Sequence, residues 1–402
     1  MNKPQKKIQI PKILQSIISS QLQSRLLALR RDLHQHPELS FQEERTAHKL
    51  YHELALLQPA ELETIAGTGI VARIKGQDSK APKVAVRGDI DALPIEESTG
   101  LEYASVTPGV MHACGHDVHA SWAVGAAHLL TEKPAEGDVL IVLQPAEEIG
   151  KGALAVLESG ILDDVLAIFG SHVDQRFTVG KVVAEPGPLA ASSDIFEIEL
   201  LGKGAHGARP HESADPIVGA GALITALQTI ISRRLNPADP GVVTIGTINA
   251  GSAANIIPES AKLIGTLRSV DSNTRQFLQN EVRKIAESTA AAYLLQAEIK
   301  VELGTPPLVN PVQPTCWARR AVSSLLGEEA LVPLGFLNMA GEDFAYYLEK
   351  IPGCFIRIGA CEPGGEPIPA HSPYFYPAEE SIFVGAAVLA ETARIASAEL
   401  CG

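Results

Sequence analysis

Short apolar runs alternate with helical stretches along the first half of the chain. Apolar runs predict buried strands at residues 70–74, 83–86, 139–143 and 166–169. Helical patterns predict helices at residues 17–34, 120–130 and 152–158. Strands that alternate with helices indicate an α/β sheet covered on both faces. Ligands bind beyond the carboxyl ends of such strands, so the residues that follow each strand are the first candidates for chemistry.

A different order of elements begins after Pro186-Gly187-Pro188. Strand-like alternation and helical patterns there follow the β-α-β-β-α-β order of a ferredoxin-like unit, at residues 194–201, 216–233, 242–248, 261–268, 273–293 and 298–303. Helix and strand signals resume after Thr305-Pro306-Pro307. We therefore expect an α/β domain formed by residues 1–187 and 305–402, with a small α+β domain inserted at 188–304.

Composition narrows the class of protein. The 402 residues are 46% hydrophobic and 20% charged, which is ordinary for a soluble globular chain. The net charge of −14 argues against nucleic acid as a partner, because binding a polyanion requires a basic surface. The longest strictly aliphatic stretch, residues 139–143, is far shorter than a membrane span, so we expect no membrane segment. Five widely spaced cysteines are not a disulfide framework and fit a reducing compartment.

The N-terminus differs in charge from the rest of the chain. Its lysines and arginines precede the first acidic residue, Asp32, and residues 17–34 form an amphipathic pattern. A transit peptide is also poor in acids, so an organelle-targeting role is an alternative. Gln and Pro interrupt the apolar region that a secretory signal needs. We predict a cytoplasmic protein.

The densest group of reactive side chains is Met111-His112-Ala113-Cys114-Gly115-His116-Asp117-Val118-His119. Cys and His as near neighbours suit a borderline-soft divalent ion. Two other interpretations stay open from the local sequence. Cys114 could be a nucleophile activated by His116, or Asp117 could cap a helix whose histidines lie on the surface.

Polar residues also follow other predicted strands. Glu147-Glu148 follows a buried strand, and on a loop one carboxylate can hold metal while the other takes a proton. His172 follows its own strand; alone it is typical of a core histidine, but the neighbouring ligand-type segments favour a ligand. Asp89 and Asp91 either orient a ligand or cap a turn.

Together these residues resemble the M20 family of metallo-amidohydrolases. The closest branch contains auxin-conjugate hydrolases, hippurate hydrolases and N-acyl-amino-acid deacetylases. The resemblance spans nearly the whole chain from about residue 22. Ordered motifs carry it: Arg30-Arg31-Asp32-Leu33-His34-Gln35-His36-Pro37-Glu38-Leu39, Arg87-Gly88-Asp89-Ile90-Asp91-Ala92-Leu93-Pro94, Cys114-Gly115-His116-Asp117, Gln144-Pro145-Ala146-Glu147-Glu148, Gly204-Ala205-His206-Gly207-Ala208-Arg209-Pro210-His211, Asn255-Ile256-Ile257-Pro258, Gly265-Thr266-Leu267-Arg268, Gly341-Glu342-Asp343-Phe344 and Ala370-His371-Ser372-Pro373.

The resemblance implies a metallo-exopeptidase-like (zinc-peptidase) α/β catalytic domain, with the inserted ferredoxin-like domain serving as a lid that also dimerises. It implies two divalent ions per subunit, Mn²⁺ or Zn²⁺, held by Cys114, His116, Glu148, His172 and His371. The local sequence around His371 carries almost no signal of its own. Glu147 stands where the family has its general base, and Asp91 where it has the carboxylate that supports the site. The wider family usually shows His-x-Asp where this chain has Asp89-Ile90-Asp91.

In the inserted domain, His206 matches a histidine that reaches the partner subunit's active site and helps to bind the developing oxyanion. Asn255 and Arg268 match residues that bind substrate, and the planar fork of an arginine suits a carboxylate. The resemblance thus implies a homodimer, and a small-molecule N-acyl amino acid as substrate.

The implied reaction is hydrolysis of the amide bond of N-acyl-L-amino acids that carry acetyl, benzoyl or indoleacetyl groups. Metal-activated water attacks, with Glu147 as base and then acid, and a carboxylic acid and an amino acid are released. Alternatives within the hydrolases are an M20 dipeptidase and a carbamoyl-amino-acid hydrolase. A metal-binding homologue without turnover and a thiol hydrolase that uses Cys114 are alternatives from other classes.

Overall fold

The computed structural model describes residues 12–337 and 339–402. The lysines before Lys12, which belong to the basic stretch considered for targeting, lie outside the described residues. The chain divides into two compact units. The first contains the described residues up to Gly187 together with Asn310–Phe336 and Tyr346–Gly402, and the second contains Pro188–Val309 and Leu337–Ala345. Relative to the expected insertion at 188–304, the second unit ends five residues later and also includes a short segment near residue 340.

The first unit alternates strands and helices. Its helices are α1 Lys12–Ile17, α2 Ser20–Gln35, α3 Glu44–Ala55, α4 His116–Glu132, α5 Gly152–Glu158, α8 Val312–Leu326 and α10 Ser381–Cys401. Its main strands are β1 Glu61–Ile65, β2 Gly69–Ile74, β3 Lys83–Asp89, β4 Val139–Gln144, β5 Val165–Thr178, β6 Val182–Val183 and β15 Gly353–Cys361. Near the boundaries between the units lie β7 Gly187–Ala190, β14 Leu308–Asn310 and α9 Phe344–Leu348.

These strands form one sheet in the order β1-β2-β4-β3-β5-β15-β6. The central strands β4, β3, β5 and β15 run parallel, whereas β1, β2 and β6 pair antiparallel at the edges. All six residues of β4 are buried, as expected for a central strand covered on both faces. Because the central strands are parallel, the residues that follow β3 and β4 meet at one edge of the sheet.

The structure explains why β1, one of the strands without a predicted range, was missed. β1 lies at the sheet edge and its residues are mostly exposed, so Glu61–Ile65 carries too few apolar side chains to form a recognisable run. The runs that predicted β3 and β4 ended three residues and one residue short, because the last positions of these strands are polar or glycine, and the run that predicted β2 began one residue late because β2 starts at Gly69.

Helices α4 and α10 form much of the core beside this sheet. Gly385 in α10 lies so close to α4 that a Cβ atom there would be 2.3 Å from Cε3 of the buried Trp122. By length and composition alone, two helices in the described part of the chain are apolar enough to cross a membrane, Pro216–Arg234 and Ser381–Cys401. Length and composition alone do not show a membrane span, so the expectation of no membrane segment stays a prediction. The apolar character of α10 is explained by its packing in the core, because 78% of its apolar window is buried inside the protein.

The second unit has the predicted β-α-β-β-α-β order. Its elements are β8 Asp194–Leu201, β9 Ala205–His206, α6 Pro216–Thr229, β10 Gly241–Ala250, β11 Ile256–Ile257, β12 Ser260–Ser269, α7 Ser272–Ala292 and β13 Gln296–Glu302. The four long strands form an antiparallel sheet in the order β10-β12-β8-β13. Asp215 and Asp271 cap α6 and α7, since each side chain accepts hydrogen bonds from backbone N–H groups of the first turn.

Candidate metal centre

The ends of β3 and β4 and the middle of β5 carry the candidate side chains of the first unit. Asp89 is the last residue of β3, and Glu147-Glu148 lies in the loop after β4. His172 does not follow its strand as predicted. β5 continues to Thr178, so His172 lies within the strand and pairs in register with Arg357 of β15.

A glycine makes the close approach of α4 to β5 possible. Gly115 precedes the first residue of α4, His116, and has a φ of 90°, a conformation that side chains with a Cβ rarely adopt. A Cβ atom at this position would also lie 2.6 Å from Cγ2 of Val173. The turn therefore brings Cys114 and His116 against the strand that carries His172.

The predicted ligands converge in two overlapping groups. Cys114, His116 and His172 form one group and Cys114, Glu148 and His371 the other, and within each group the ligand atoms lie within 4.8 Å of one another. The Sγ atom of Cys114 is 3.3 Å from Nε2 of His172, and Nε2 of His371 is 3.5 Å from Oε2 of Glu148. Cys114 belongs to both groups.

The donor atoms fit a pair of divalent ions. Nε2 of His116 and Oε1 of Glu148 are buried and have no hydrogen-bond partner among the described residues. A buried polar atom without a partner is costly, and a metal ion would satisfy both. The Nδ1 atom of His172 is 2.7 Å from the carbonyl oxygen of Val173, so it donates to that oxygen and leaves Nε2 free to ligate. Thiolate, imidazole and carboxylate donors together suit a borderline ion.

The electrostatics argue against a nucleophilic cysteine. Burial, followed by the nearby Glu148 carboxylate, raises the pKa of the Cys114 thiol well above its ordinary value. A cysteine nucleophile needs a lowered pKa, because the thiolate is the reactive form. Burial also raises the pKa of Glu148 to about 7. Metal binding must displace both protons, so the affinity for metal should fall with decreasing pH.

Asp91 holds the ligands in place from behind. Its buried carboxylate accepts hydrogen bonds from Nδ1 of His116 at 3.2 Å and from the Ser40 hydroxyl at 2.7 Å. It also accepts the backbone N–H groups of Glu147 at 3.1 Å and of Glu148 at 3.0 Å. Burial opposes its ionisation, but these hydrogen bonds, led by that of His116, outweigh burial and lower its pKa. One side chain thus fixes both the imidazole and the loop that carries the two glutamates.

His119 has a structural role that the sequence left open. The backbone N–H of Val173 donates to its Nε2 atom at 3.0 Å, so its proton is on Nδ1, which donates to Asp89 at 2.6 Å. Both ring nitrogens are used, and His119 is not available to a metal. Arg87 also donates to Asp89. The sequence did carry one signal for His119: it follows His116 by three residues on a helix, a spacing that puts both side chains on the same face of α4.

Glu43 is a supporting residue that nothing in the local sequence indicates. Its buried carboxylate accepts the backbone N–H of Ala146 at 3.0 Å and the Thr68 hydroxyl at 2.6 Å. Ala146 has a φ of 53°, a left-handed conformation that costs energy for a residue with a Cβ. The hydrogen bond from Glu43 helps to hold the strained turn that presents Glu147 and Glu148.

The predicted residues of the second unit lie in two places. His206 on β9 is exposed, and the N–H of Gly207 donates to the carbonyl oxygen of Asn255 at 2.7 Å, so His206 and Asn255 are neighbours. Nδ1 of His206 accepts the backbone N–H of Ala208 at 3.1 Å, so in the neutral ring Nε2 carries the proton and is a donor. Arg268 lies on β12, and its guanidinium donates to the carbonyl oxygen of Met339 at 3.3 Å.

The described geometry agrees with what is known of similar proteins. The family model of Peptidase family M20/M25/M40 matches residues 85–395, which is more than half of the chain. The chain belongs to this family. The predicted fold class, a catalytic α/β domain with an inserted α+β domain, is confirmed by M20 structures of the same fold, and so is the prediction of a hydrolase that acts on amide bonds.

Several M20 relatives match along almost their whole length. N-acetyl-L-cysteine deacetylase of Bacillus subtilis (strain 168) is 45% identical over 346 residues, which cover 85% of this chain and 81% of that protein. IAA-amino acid hydrolase ILR1-like 4 of Arabidopsis thaliana is 36% identical, covering 92% of this chain and 84% of that protein. A crystal structure from Bacillus subtilis, described as a dinuclear metal-binding peptidase from the M20 family, has a TM-score of 0.81 and 38% identity, covering 94% of this chain and 99% of that one.

Replacing Asp91 by asparagine should weaken metal binding by about 10- to 100-fold, the usual effect of losing a residue that orients ligands. The amide has one acceptor oxygen and an NH₂ group, so a buried backbone N–H of the Glu147-Glu148 loop would face a donor. Calorimetric titration of chelated protein with Mn²⁺ or Zn²⁺ measures the effect. The control is Asp32→Asn, whose carboxylate binds Arg45 at the surface. Equal affinities of wild type and Asp91→Asn would contradict the supporting role.

Proposed function

We propose that this M20 enzyme hydrolyses the amide bond of N-acyl-L-amino acids and releases a carboxylic acid and an amino acid. The two ligand groups that share Cys114, with Glu147 beside them, carry the proposal. The names of the relatives support it, since one is a deacetylase of N-acetyl-L-cysteine and another a hydrolase of IAA–amino acid conjugates. We further propose a cytoplasmic location, which the five free cysteines of the described chain support.

The first unit would hold two ions through five side chains. Cys114, His116 and His172 would supply one group of donor atoms, and Cys114, Glu148 and His371 the other. The wider family usually shows His-x-Asp where this chain has Asp89-Ile90-Asp91, and Cys114 and His116 would take over as ligands. Zn²⁺ suits the sulfur and imidazoles, whereas the auxin-conjugate branch favours Mn²⁺. When bound, the ions supply Lewis-acid polarisation of the substrate carbonyl and acidify a water molecule.

Glu147 would move the protons of the reaction. It lies in the loop fixed by Asp91 and Glu43, and one of its carboxylate oxygens is 3.9 Å from Nε2 of His116. From this position it takes a proton from the attacking water and then delivers it to the leaving nitrogen. His206 would donate from Nε2 to the developing oxyanion, while Asn255 and Arg268 would bind the substrate, with the guanidinium on its carboxylate.

Free amino acid released from N-acetyl, N-benzoyl and N-indoleacetyl amino acids tests the proposed function. Chelated protein should be inactive, and Mn²⁺ or Zn²⁺ should restore turnover, because the proposed reaction needs a metal ion as its Lewis acid. Dipeptides and carbamoyl amino acids belong in the same panel. Turnover of those compounds alone would replace the N-acyl substrate class, and activity that survives chelation but is lost on alkylation of Cys114 would favour a thiol hydrolase.

Replacing Glu147 by glutamine should lower kcat by about 10²- to 10⁴-fold, the usual contribution of a general base. Metal content and the melting temperature should stay unchanged, because the amide has the same shape and the five proposed ligands are left in place. Glu158→Gln on the exposed face of α5 is the matched control and should be fully active. Near wild-type turnover in Glu147→Gln would remove this residue from the proton-transfer role.

We also propose a homodimer formed through the inserted domain. Large apolar side chains are unusually exposed there, with Ile217 at 45%, Val218 at 54%, Ile248 at 48% and Ile256 at 54% exposure. Apolar side chains exposed in this number favour an association surface. The exposed His206 would then act at the partner subunit's catalytic centre, as the family resemblance implies.

Mixing two inactive variants tests the shared site. His206→Ala and Glu147→Gln should each be inactive alone, but subunit exchange should restore about a quarter of wild-type activity, because half of the dimers are mixed and each has one intact site. A mixture of Glu147→Gln with Asp91→Asn should show no more activity than its two components measured separately, since both changes damage the first unit. Failure of the first mixture to recover, with exchange verified by mass, would place His206 outside the partner's site.

A further inference from the structure

Residues 94–110 form a closed loop with neither helix nor strand. Leu93 and Met111 close it through two backbone hydrogen bonds of 3.0 Å, one in each direction. A loop of this length without secondary structure is uncommon in a compact domain and usually serves a function. We call residues 94–110 the closed loop.

The Glu97 carboxylate organises the closed loop from within. It accepts hydrogen bonds from the Thr99 hydroxyl and from the backbone N–H of Ser105, the latter at 2.6 Å. Its Oε1 atom also lies 3.2 Å from Nε2 of His34, a fully buried residue of α2. The loop is therefore attached to α2 through the Glu97 side chain, through the Tyr103 ring against Arg30 and Arg31, and through the backbone bond from Val106 to Gln35.

His34 lies between two carboxylates. Its Nδ1 atom is 2.9 Å from Oδ2 of Asp117, and its Nε2 atom faces Glu97. A carboxylate can only accept, so both ring nitrogens donate and the ring is an imidazolium. Arg30 also binds Asp117, at 2.8 Å, so the two cations of α2 balance the two buried carboxylates.

The hydrogen-bonded series Asp117–His34–Glu97 connects two parts of the chain that carry proposed ligands of different ions. Asp117 is in the first turn of α4, directly after His116. On the other side, the backbone N–H of Ser98 in the closed loop donates to the carbonyl oxygen of Pro373 at 2.8 Å. Pro373 belongs to the same compact turn as His371, whose own N–H is bound by the carbonyl oxygen of Ala113 at 2.8 Å.

We propose that His34 is a positioning residue for the metal pair. By donating to both Asp117 and Glu97, it holds the closed loop against the first turn of α4, and thereby fixes the turn that carries His371 relative to His116. The inference rests on the proposed metal centre. Loss of His34 should affect the ion bound by Glu148 and His371 more than the ion bound by His116 and His172.

The charges around His34 support its cationic state. Burial opposes protonation, but Asp117 and then Glu97 outweigh it and raise the pKa of His34. The groups packed around the ring are Asp117 from α4, Glu97 and Tyr103 from the closed loop, Arg30 from α2, and His112. Because the folded-state pKa is raised, the stabilisation is complete below the unfolded value near 6.5 and is lost as the pH rises through the folded value.

The test is His34→Gln, titrated after chelation with Mn²⁺ and followed by calorimetry and electron paramagnetic resonance. Wild type should bind two ions and show the spectrum of a spin-coupled pair. The variant should bind one of the two ions about 10- to 100-fold less tightly, lose the coupled spectrum at low Mn²⁺, and keep the wild-type affinity for the other ion. In turnover assays kcat should fall while KM changes little, because the substrate-binding residues are untouched.

His36→Gln is the matched control. His36 ends the same helix, but its Nδ1 atom binds only the backbone and side chain of Asp32, and its variant should behave as wild type. A second variant, Glu97→Gln, keeps an acceptor oxygen in place and should show a smaller loss. The double variant should lose no more than His34→Gln alone, since both changes break one bridge.

The outcomes separate the two proposals. If wild type binds two ions and His34→Gln binds both with wild-type affinity, the positioning role is wrong. Additive losses in the double variant would also overturn it. If wild type never binds two ions, whichever metal and concentration are used, the proposed metal centre itself is wrong.

Discussion

The Asp91 carboxylate is the constraint on which the candidate centre depends. Four donors from three separate stretches of chain meet on its two oxygens: Ser40, His116 and the backbone of Glu147 and Glu148. Each buried donor left without an acceptor would cost about 1–3 kcal/mol. The carboxylate therefore replaces water as the acceptor for these four donors. Its position decides where the imidazole of His116 and the loop that carries Glu147 and Glu148 lie.

Two buried aspartates, Asp89 and Asp117, lie next to the candidate ligands, and each has cationic or N–H partners of its own. Asp89 is neutralised by Arg87 and by the Nδ1–H of His119, while Asp117 is neutralised by Arg30 and His34. Burial would otherwise favour protonated carboxyl groups, but these partners hold the pKa values of both aspartates below the ordinary range. The imidazoles of His116 and His371 lie 3.8 and 3.5 Å from the Glu148 carboxylate, yet burial outweighs the charge of His116 and raises the pKa of Glu148 to about 7.

The sequence predicted most of the fold because the buried strands are nearly all apolar. The inserted unit, too, has the predicted order of elements. The missed strand β1 and the continuation of β5 past His172 have a common reason, since edge exposure and functional side chains both break the hydrophobic pattern on which prediction depends. Local sequence identified Cys114 and His116, whereas His371 came only from family resemblance. Glu43 and Ser40 could not be found, because their contacts are made with residues far away along the chain.

The position of β15 has a consequence for the order in which the protein is made. β15 lies inside the main sheet, beside β5, yet it is encoded after the entire inserted unit. During synthesis the ribosome completes the inserted unit while the main sheet still lacks an internal strand and His371. Since domains fold as units from the N-terminus onward, the inserted unit can reach its final structure first. Because His371 belongs to the proposed ligand set, the nascent chain would complete that set only after nearly all of it has emerged.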